Sequence, residues 1–135
     1  MASIRKDILI DSPAADVWAA VADTGAVHQR LARGFVTDTQ VDGDTRIVTF
    51  VTGAVARELL VDIDEQMCRV AYAVVDSPLG LHHHHATMQV VEDGARQCRL
   101  VWIADLAPDS AAPTVEGMMA QGALAMQHSL AAVSR

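Results

Sequence analysis

Over the first quarter of the chain, the spacing of apolar residues changes from alternating to helical. Residues 3–11 alternate loosely between apolar and polar positions, which predicts a strand. The motif Asp11-Ser12-Pro13 then supplies a helix cap and a first-turn proline. Apolar residues at helical spacing predict a short helix over 13–22, and after a break at Gly25 a second short helix follows near 25–32.

From Phe35 onward the chain is divided into segments of about ten residues that alternate as strands do. The turns Asp42-Gly43-Asp44 and Glu92-Asp93-Gly94 are typical of hairpins, whereas Ser77-Pro78-Leu79-Gly80 indicates a longer loop. The predicted strands are 34–42, 45–52, 55–64, 68–76, 81–92 and 96–107. Because the connections are short, we expect an antiparallel meander.

The last part of the chain, 112–133, returns to helical spacing and predicts one long helix. Its apolar stripe is formed by Met119, Ala123, Met126, Leu130 and Val133. The order of elements predicts an α+β fold in a single domain, 1–135, with two short helices after the first strand. A seven-stranded sheet covers its apolar face with one long helix only by curving around it.

Composition narrows the class of partner. The chain has 135 residues, the usual size of one domain, and 51% are apolar. No apolar run approaches the roughly 20 residues of a membrane span, and 17 acidic against 10 basic residues disfavour nucleic acid and anionic membranes. The segment Met1–Asp7 has no signal-peptide pattern, so we expect a cytoplasmic protein. Cys68 and Cys98 have no disulfide or metal spacing and are expected to be small buried residues.

A curved sheet closed by one helix leaves a cavity where the facing side chains are small or flexible. The helix offers mostly alanine and methionine, and Met118, Met119 and Met126 would suit a cavity that adapts to its occupant. Ordinary core packing is the alternative reading of the same methionines.

Alternation within the strands assigns polar side chains to the inner face. Tyr72 and Trp102 share their faces with apolar neighbours, which places them inside. In 81–92 the apolar residues Ala86, Met88 and Val90 face inward. Counting back by twos therefore places His82 and His84 inside as well.

The four consecutive histidines do not predict a metal centre. A strand directs alternate residues to opposite faces, so His83 and His85 point to solvent and the four rings cannot converge on one ion. Weak chelation of a divalent ion by His83 and His85 is the most that the spacing allows. We expect neither a metal nor a cofactor.

Glu58 is the sharpest candidate for chemistry, because a carboxylate that faces an apolar cavity must be paired, hydrogen-bonded or neutralised. Alternation leaves its direction open: an inward Glu58 brings Leu60 and Asp62 with it, while the other face carries the apolar Val61 and Ile63. A β-bulge would reconcile the two patterns. An inward Glu58 could pair with His84 and, with Tyr72, form a polar cluster in the cavity.

Several segments, in this order, resemble the START-like superfamily of Bet v 1, polyketide cyclases and lipid-transfer proteins. They are Ser12-Pro13-Ala14-Ala15-Asp16-Val17-Trp18, Val55-Ala56-Arg57-Glu58-Leu59-Leu60, Arg69-Val70-Ala71-Tyr72-Ala73-Val74-Val75, Ala86-Thr87-Met88-Gln89-Val90, and Trp102 ahead of Pro108. The resemblance covers the whole chain. It implies a helix-grip fold, a curved seven-stranded antiparallel sheet around the C-terminal helix.

The segment from Glu58 to Val90 also resembles the plant abscisic acid receptors of that superfamily. The resemblance implies that Glu58, Tyr72 and His84 line the cavity. The receptors' gating loops are replaced here by Val51-Thr52-Gly53-Ala54-Val55 and Leu79-Gly80-Leu81, so neither hormone sensing nor phosphatase binding is carried over.

The leading hypothesis is a module that binds a small hydrophobic molecule, such as a lipid, a polyketide or an isoprenoid-like compound. The expected ligand-binding residues are Glu58, Tyr72, His82, His84, Trp102, Met119 and Met126. One alternative is a polyketide cyclase or dehydratase that uses the same pocket for acid and base chemistry. Another is an interaction protein without a ligand, whose outer sheet face pairs with a second copy in a homodimer.

Overall fold

The computed structural model describes residues 1–131 and contains the elements that the sequence predicts. The strands are β1 (Ala2–Ile10), β2 (Val36–Asp42), β3 (Thr45–Phe50), β4 (Val55–Asp64), β5 (Arg69–Asp76), β6 (His83–Glu92) and β7 (Cys98–Ala107). The helices are α1 (Ala14–Ala22) and α2 (Ala112–Leu130). The second short helix is a π-helical turn, Val27–Leu31, and a 3-10 turn, Asp109–Ala111, precedes α2. Val133 of the predicted helix stripe lies outside the described residues.

All seven strands form one antiparallel sheet in the order β1-β7-β6-β5-β4-β3-β2. Each strand from β2 to β6 pairs with the next along the chain, as short connections dictate, and β1 pairs with β7. The β2–β3 hairpin turns at Gly43, whose positive φ of 65° favours glycine. The fold is therefore α+β, with the helices on one side of an antiparallel sheet.

One end of the inner sheet face is tightly packed. The side chains of Ile10, Cys98 and Leu100 have no exposed surface. Helix α1 packs against β5, β6 and β7, and Gln127 of α2 donates a hydrogen bond to the Leu9 carbonyl, 3.2 Å away. The C-terminal half of α2 and α1 thus cover the sheet together at this end.

Both cysteines are free thiols, with Cys98 buried and Cys68 half-buried. Burial raises the pKa of the Cys98 thiol above its ordinary value, since the ionised form would be poorly solvated there. Within residues 1–131, no helix is both long enough and apolar enough to cross a bilayer.

Candidate functional site

The other end of the inner face encloses a cavity of about 260 Å³ beneath the N-terminal half of α2. Its volume lies just below the range of about 300–1,000 Å³ that is usual for small-molecule sites. Helix α2 contributes Val115, Met118 and Met119 to the lining. The sheet contributes small residues, Ala56 and Ala104, at positions where larger side chains would fill the space.

The outer end of the cavity is formed by two loops. The β3–β4 loop contributes Thr52, and the β5–β6 loop contributes Ser77, Pro78 and Leu79. Thr52 and Pro78 are exposed, so the cavity meets solvent between these loops. The Leu79 amide donates to the Ser77 hydroxyl at 3.3 Å, which holds the second loop in its turn.

Glu58 faces inward at the deep end, and a β-bulge places it there. The β4–β5 register shifts between Arg57 and Glu58 and again between Leu60 and Asp62, so strict alternation is broken on either side of Glu58. Val61 and Ile63 consequently lie exposed on the outer face while Glu58 lines the cavity.

Glu58 forms a buried ion pair with Arg46. Arg46 lies directly opposite Glu58 on β3, and its Nε donates to Glu58 Oε1 at 2.8 Å. The two residues are only 5% and 6% exposed. Arg46 Nη1 also donates to the Thr24 carbonyl at 3.3 Å, which ties the deep end of the cavity to the segment after α1. The carboxylate is thus both charge-paired and hydrogen-bonded.

Tyr72 and Trp102 form a second polar contact on the same face. The indole Nε1–H of Trp102 donates to Tyr72 Oη at 3.0 Å, and the guanidinium carbon of Arg46 lies 5.0 Å from the centre of the Tyr72 ring. Burial, reinforced by the charge of Glu58, raises the pKa of the Tyr72 phenol well above its ordinary value. Tyr72 is therefore a neutral phenol at physiological pH.

His84 lines the cavity and keeps one ring nitrogen unpaired. Its Nδ1 is buried, and no protein group among residues 1–131 pairs with it. Burial, assisted by the neighbouring His83, lowers the pKa of the imidazole below its ordinary value. The expected pairing of His84 with Glu58 is wrong: within residues 1–131 the carboxylate pairs with Arg46, through Oε1, and not with His84.

Two expected cavity residues lie elsewhere. His82 is exposed in a bend, because β6 begins only at His83 and alternation cannot be counted back beyond the end of a strand. Met126 is buried but belongs to the packed end, seven residues along α2 from Met119. Neither residue lines the cavity.

His83 and His85 lie together on the outer face of β6. Their rings stack with centroids 6.4 Å apart. Among residues 1–131, no group of three or more histidine, cysteine or carboxylate side chains converges as a metal site would require.

Sequence reasoning missed three residues of the candidate site, Arg46, Phe35 and Phe50. Arg46 shares the inner face of β3 with Val48, and a hairpin register for β3 and β4 would have set it opposite Glu58. Phe35 and Phe50 pack edge to face with ring centroids 5.3 Å apart and line the cavity. Phe35 precedes β2, where alternation gives no direction.

Solved structures share this fold over nearly the whole chain. A protein from Thermobifida fusca is 29% identical, with a TM-score of 0.79 over 96% of this chain and 91% of its own. A START superfamily protein from Mycobacterium smegmatis is 11% identical, with a TM-score of 0.75 over 95% and 96%. Norcoclaurine synthase from Thalictrum flavum, in complex with dopamine and hydroxybenzaldehyde, is 20% identical, with a TM-score of 0.68 over 94% and 84%. These likenesses confirm the START-like, helix-grip fold.

No curated protein sequence matches the chain significantly. The profile of one family, described as polyketide cyclase / dehydrase and lipid transport, matches residues 1–133. Together with the fold, that match shows that the chain belongs to the polyketide cyclase / dehydrase and lipid transport family.

Proposed function

We propose that the protein binds a small, largely apolar molecule in the cavity beneath α2. The observation that carries this proposal is the combination of an apolar wall and a few polar groups at one end. Small-molecule sites are built in this way, because the apolar surface supplies affinity and the polar groups fix orientation. Membership of a family described by cyclase, dehydrase and lipid-transport activities supports ligand binding in general.

The size of the cavity limits the ligand. At about 260 Å³ the cavity lies just below the usual range of small-molecule sites, about 300–1,000 Å³. This space favours a compact compound of a few rings over a long-chain lipid. Among the ligand classes expected from the sequence, a small polyketide or isoprenoid-like compound therefore fits better.

The residues assigned to the ligand follow from the lining. Trp102 and Met119 supply apolar contacts, while Glu58, Tyr72 and His84 supply the polar ones. Since Arg46 holds Glu58 in place, the carboxylate can orient a ligand without a conformational change. Binding alone requires no proton transfer from any of these groups.

Fluorescence titration with the apolar dye N-phenyl-1-naphthylamine tests the proposal. Wild-type protein should bind one dye with a saturable rise in emission. Ala104→Phe places a ring inside the cavity and should weaken dye binding at least about tenfold, whereas Thr87→Phe adds the same ring on the outer face of β6 and should leave it unchanged. Equal binding by wild type and Ala104→Phe, with both folded by circular dichroism, would contradict the proposal.

A second candidate is ring closure or dehydration of the bound molecule, and one observation favours it. A neutral, unpartnered imidazole such as His84 can remove a proton from a bound substrate. Incubation with a short linear poly-β-ketone, followed by mass spectrometry, should then show loss of water that His84→Gln abolishes. Turnover that survives both His84→Gln and Glu58→Gln would remove this candidate.

A further inference from the structure

From the polar groups of the cavity we infer that its ligand is an uncharged ring compound with a polar group at each end, a hydrogen-bond donor facing Glu58 and a second polar group facing His84. The inference rests on the proposed binding function and specifies the chemistry of the ligand. It follows from the charge balance of the cavity, from the register of three strands and from the unused hydrogen-bonding capacity of two side chains.

The charges at the deep end of the cavity already cancel. Arg46 and Glu58 form one buried pair, 2.8 Å apart, with one positive and one negative charge. Tyr72 is a neutral phenol, and burial favours the neutral form of His84. A charged ligand would therefore bring an uncompensated charge into a poorly solvated site, which disfavours both carboxylates and amines.

Strand register sets the distance between the two ligand anchors, Glu58 and His84. Glu58 pairs with Val74 across β4 and β5. Val74 follows Ala73, which pairs with His85 across β5 and β6, so continuing the antiparallel register sets Val74 opposite His84. Glu58, Val74 and His84 thus lie in one row on the inner face, with Val74 between the two polar residues. Two strand spacings separate Glu58 from His84, about 10 Å between their backbones. A flat ring lying over Val74 can reach both side chains.

Both anchors have hydrogen-bonding capacity that the protein leaves unused. Arg46 occupies Oε1 of Glu58, and Oε2 has no hydrogen-bond partner within residues 1–131. A carboxylate oxygen accepts, so it calls for a donor such as a hydroxyl group. Nδ1 of His84 has no partner in that part of the chain either, and it is buried, so a ligand would meet the ring through Nε2, which in a neutral imidazole can donate or accept according to the tautomer. The second polar group can therefore be a hydroxyl or a carbonyl.

A series of naphthalene compounds tests this chemistry by isothermal titration calorimetry. 2-Methoxynaphthalene offers no donor, 2-naphthol offers one, and 2,6-dihydroxynaphthalene offers one at each end. We expect each added donor to tighten binding about five- to tenfold, as one buried hydrogen bond would. The anion 2-naphthoate should bind at least about tenfold more weakly than 2-naphthol.

Variants of Glu58 and His84 test which side chain is responsible for the gain in affinity from each hydroxyl group. His84→Leu breaks no ion pair and should erase the gain from the second hydroxyl while keeping the first. Glu58→Gln should reduce the gain from the first hydroxyl, and if this variant fails to fold, the His84→Leu comparison still decides.

The outcomes separate the two proposals. Tight binding of 2-naphthoate, no gain from the second hydroxyl, or a gain that survives His84→Leu would overturn the inference about ligand chemistry and leave the binding function standing. If neither these compounds nor N-phenyl-1-naphthylamine bind, the binding function itself is overturned.

Discussion

The two ends of the inner sheet face differ although they share one sheet and one long helix. At the packed end, Ile10, Cys98 and Leu100 are fully buried beneath α1 and the C-terminal half of α2. At the hollow end, Ala56 and Ala104 border a cavity of about 260 Å³ that only the N-terminal half of α2 and two loops cover. The void lies where the helical layer is one helix wide and the sheet residues are small.

This difference explains why the polar side chains Arg46, Glu58 and His84 lie at the hollow end. At the packed end a charged pair would have to compete with well-packed aliphatic side chains. At the hollow end Glu58, paired with Arg46, and His84 border free space, and under the proposed function a ligand would complete their hydrogen bonds. The packed end supplies the core, and the hollow end carries the polar groups on which the proposed function rests.

The largest expected effect comes from breaking the ion pair at the hollow end. Arg46→Met or Glu58→Leu alone should lower the free energy of unfolding by about 3–5 kcal/mol, because each leaves a buried charge without its partner. The double variant should recover most of that loss. Urea unfolding of the four proteins measures the coupling, and single variants that each cost less than about 1 kcal/mol would show that the pair is solvated.

A matched pair of valines on β5 compares the two ends directly. Val70 is 2% exposed at the packed end, and Val74 on the same face of the same strand lines the cavity. Val70→Ala should cost about 2–3 kcal/mol, since it removes buried methyl groups and leaves a new void. Val74→Ala should cost less than about 1 kcal/mol because its side chain already faces space. Equal losses in urea unfolding would mean that both ends are packed alike.

Two glycines of α2, Gly117 and Gly122, allow the effect of adding one methyl group to be compared at an open and at a closely packed position of the helix. A Cβ on Gly117 meets nothing within 4 Å, so Gly117→Ala should stabilise the helix by about 0.5–1 kcal/mol. A Cβ on Gly122 would lie 3.1 Å from the Trp102 ring and 3.2 Å from Phe35. Gly122→Ala should therefore lose that gain and weaken dye binding, because Trp102 must move into the cavity. Thermal unfolding that shifts equally for both variants would refute close packing of Trp102 on the helix.

The smallest expected effect is on the pH dependence of stability. Burial, with His83 as the second cause, lowers the pKa of His84 in the folded protein below the unfolded value of about 6.5. As the pH falls below about 6.5, the unfolded chain takes up a proton that the folded protein resists, so stability decreases toward acid and is level above that pH. His84→Leu should reduce this slope between pH 7 and 5, whereas His128→Gln, at an exposed position of α2, should retain it. A slope unchanged by His84→Leu would place the ring in contact with water.

Sequence patterns predicted the order of elements because turns and periodicity are local. Strong turn motifs bounded the strands, and the limits of β4 agree with the predicted 55–64. Alternation also predicted the inner position of Tyr72, which is well inside its strand. The seven-stranded antiparallel sheet followed from the short connections between these strands.

The composition of the cavity was harder to predict because it depends on pairing across strands. Arg46 lies opposite Glu58 only because of the β3–β4 register. The prediction for His82 is wrong because β6 begins one residue later, at His83. An apolar stripe on a helix predicts that Met126 faces the sheet but not whether the sheet beneath it is packed or hollow. Those distinctions arise from tertiary packing.

A crystal structure of the protein soaked with 2,6-dihydroxynaphthalene tests the central claim most directly. We expect the ring to lie over Val74 beneath α2, with one hydroxyl donating to Glu58 Oε2 and the other at the His84 imidazole. An empty cavity at saturating ligand, or an interior closed by Met119 and Trp102 with no space between them, would contradict it.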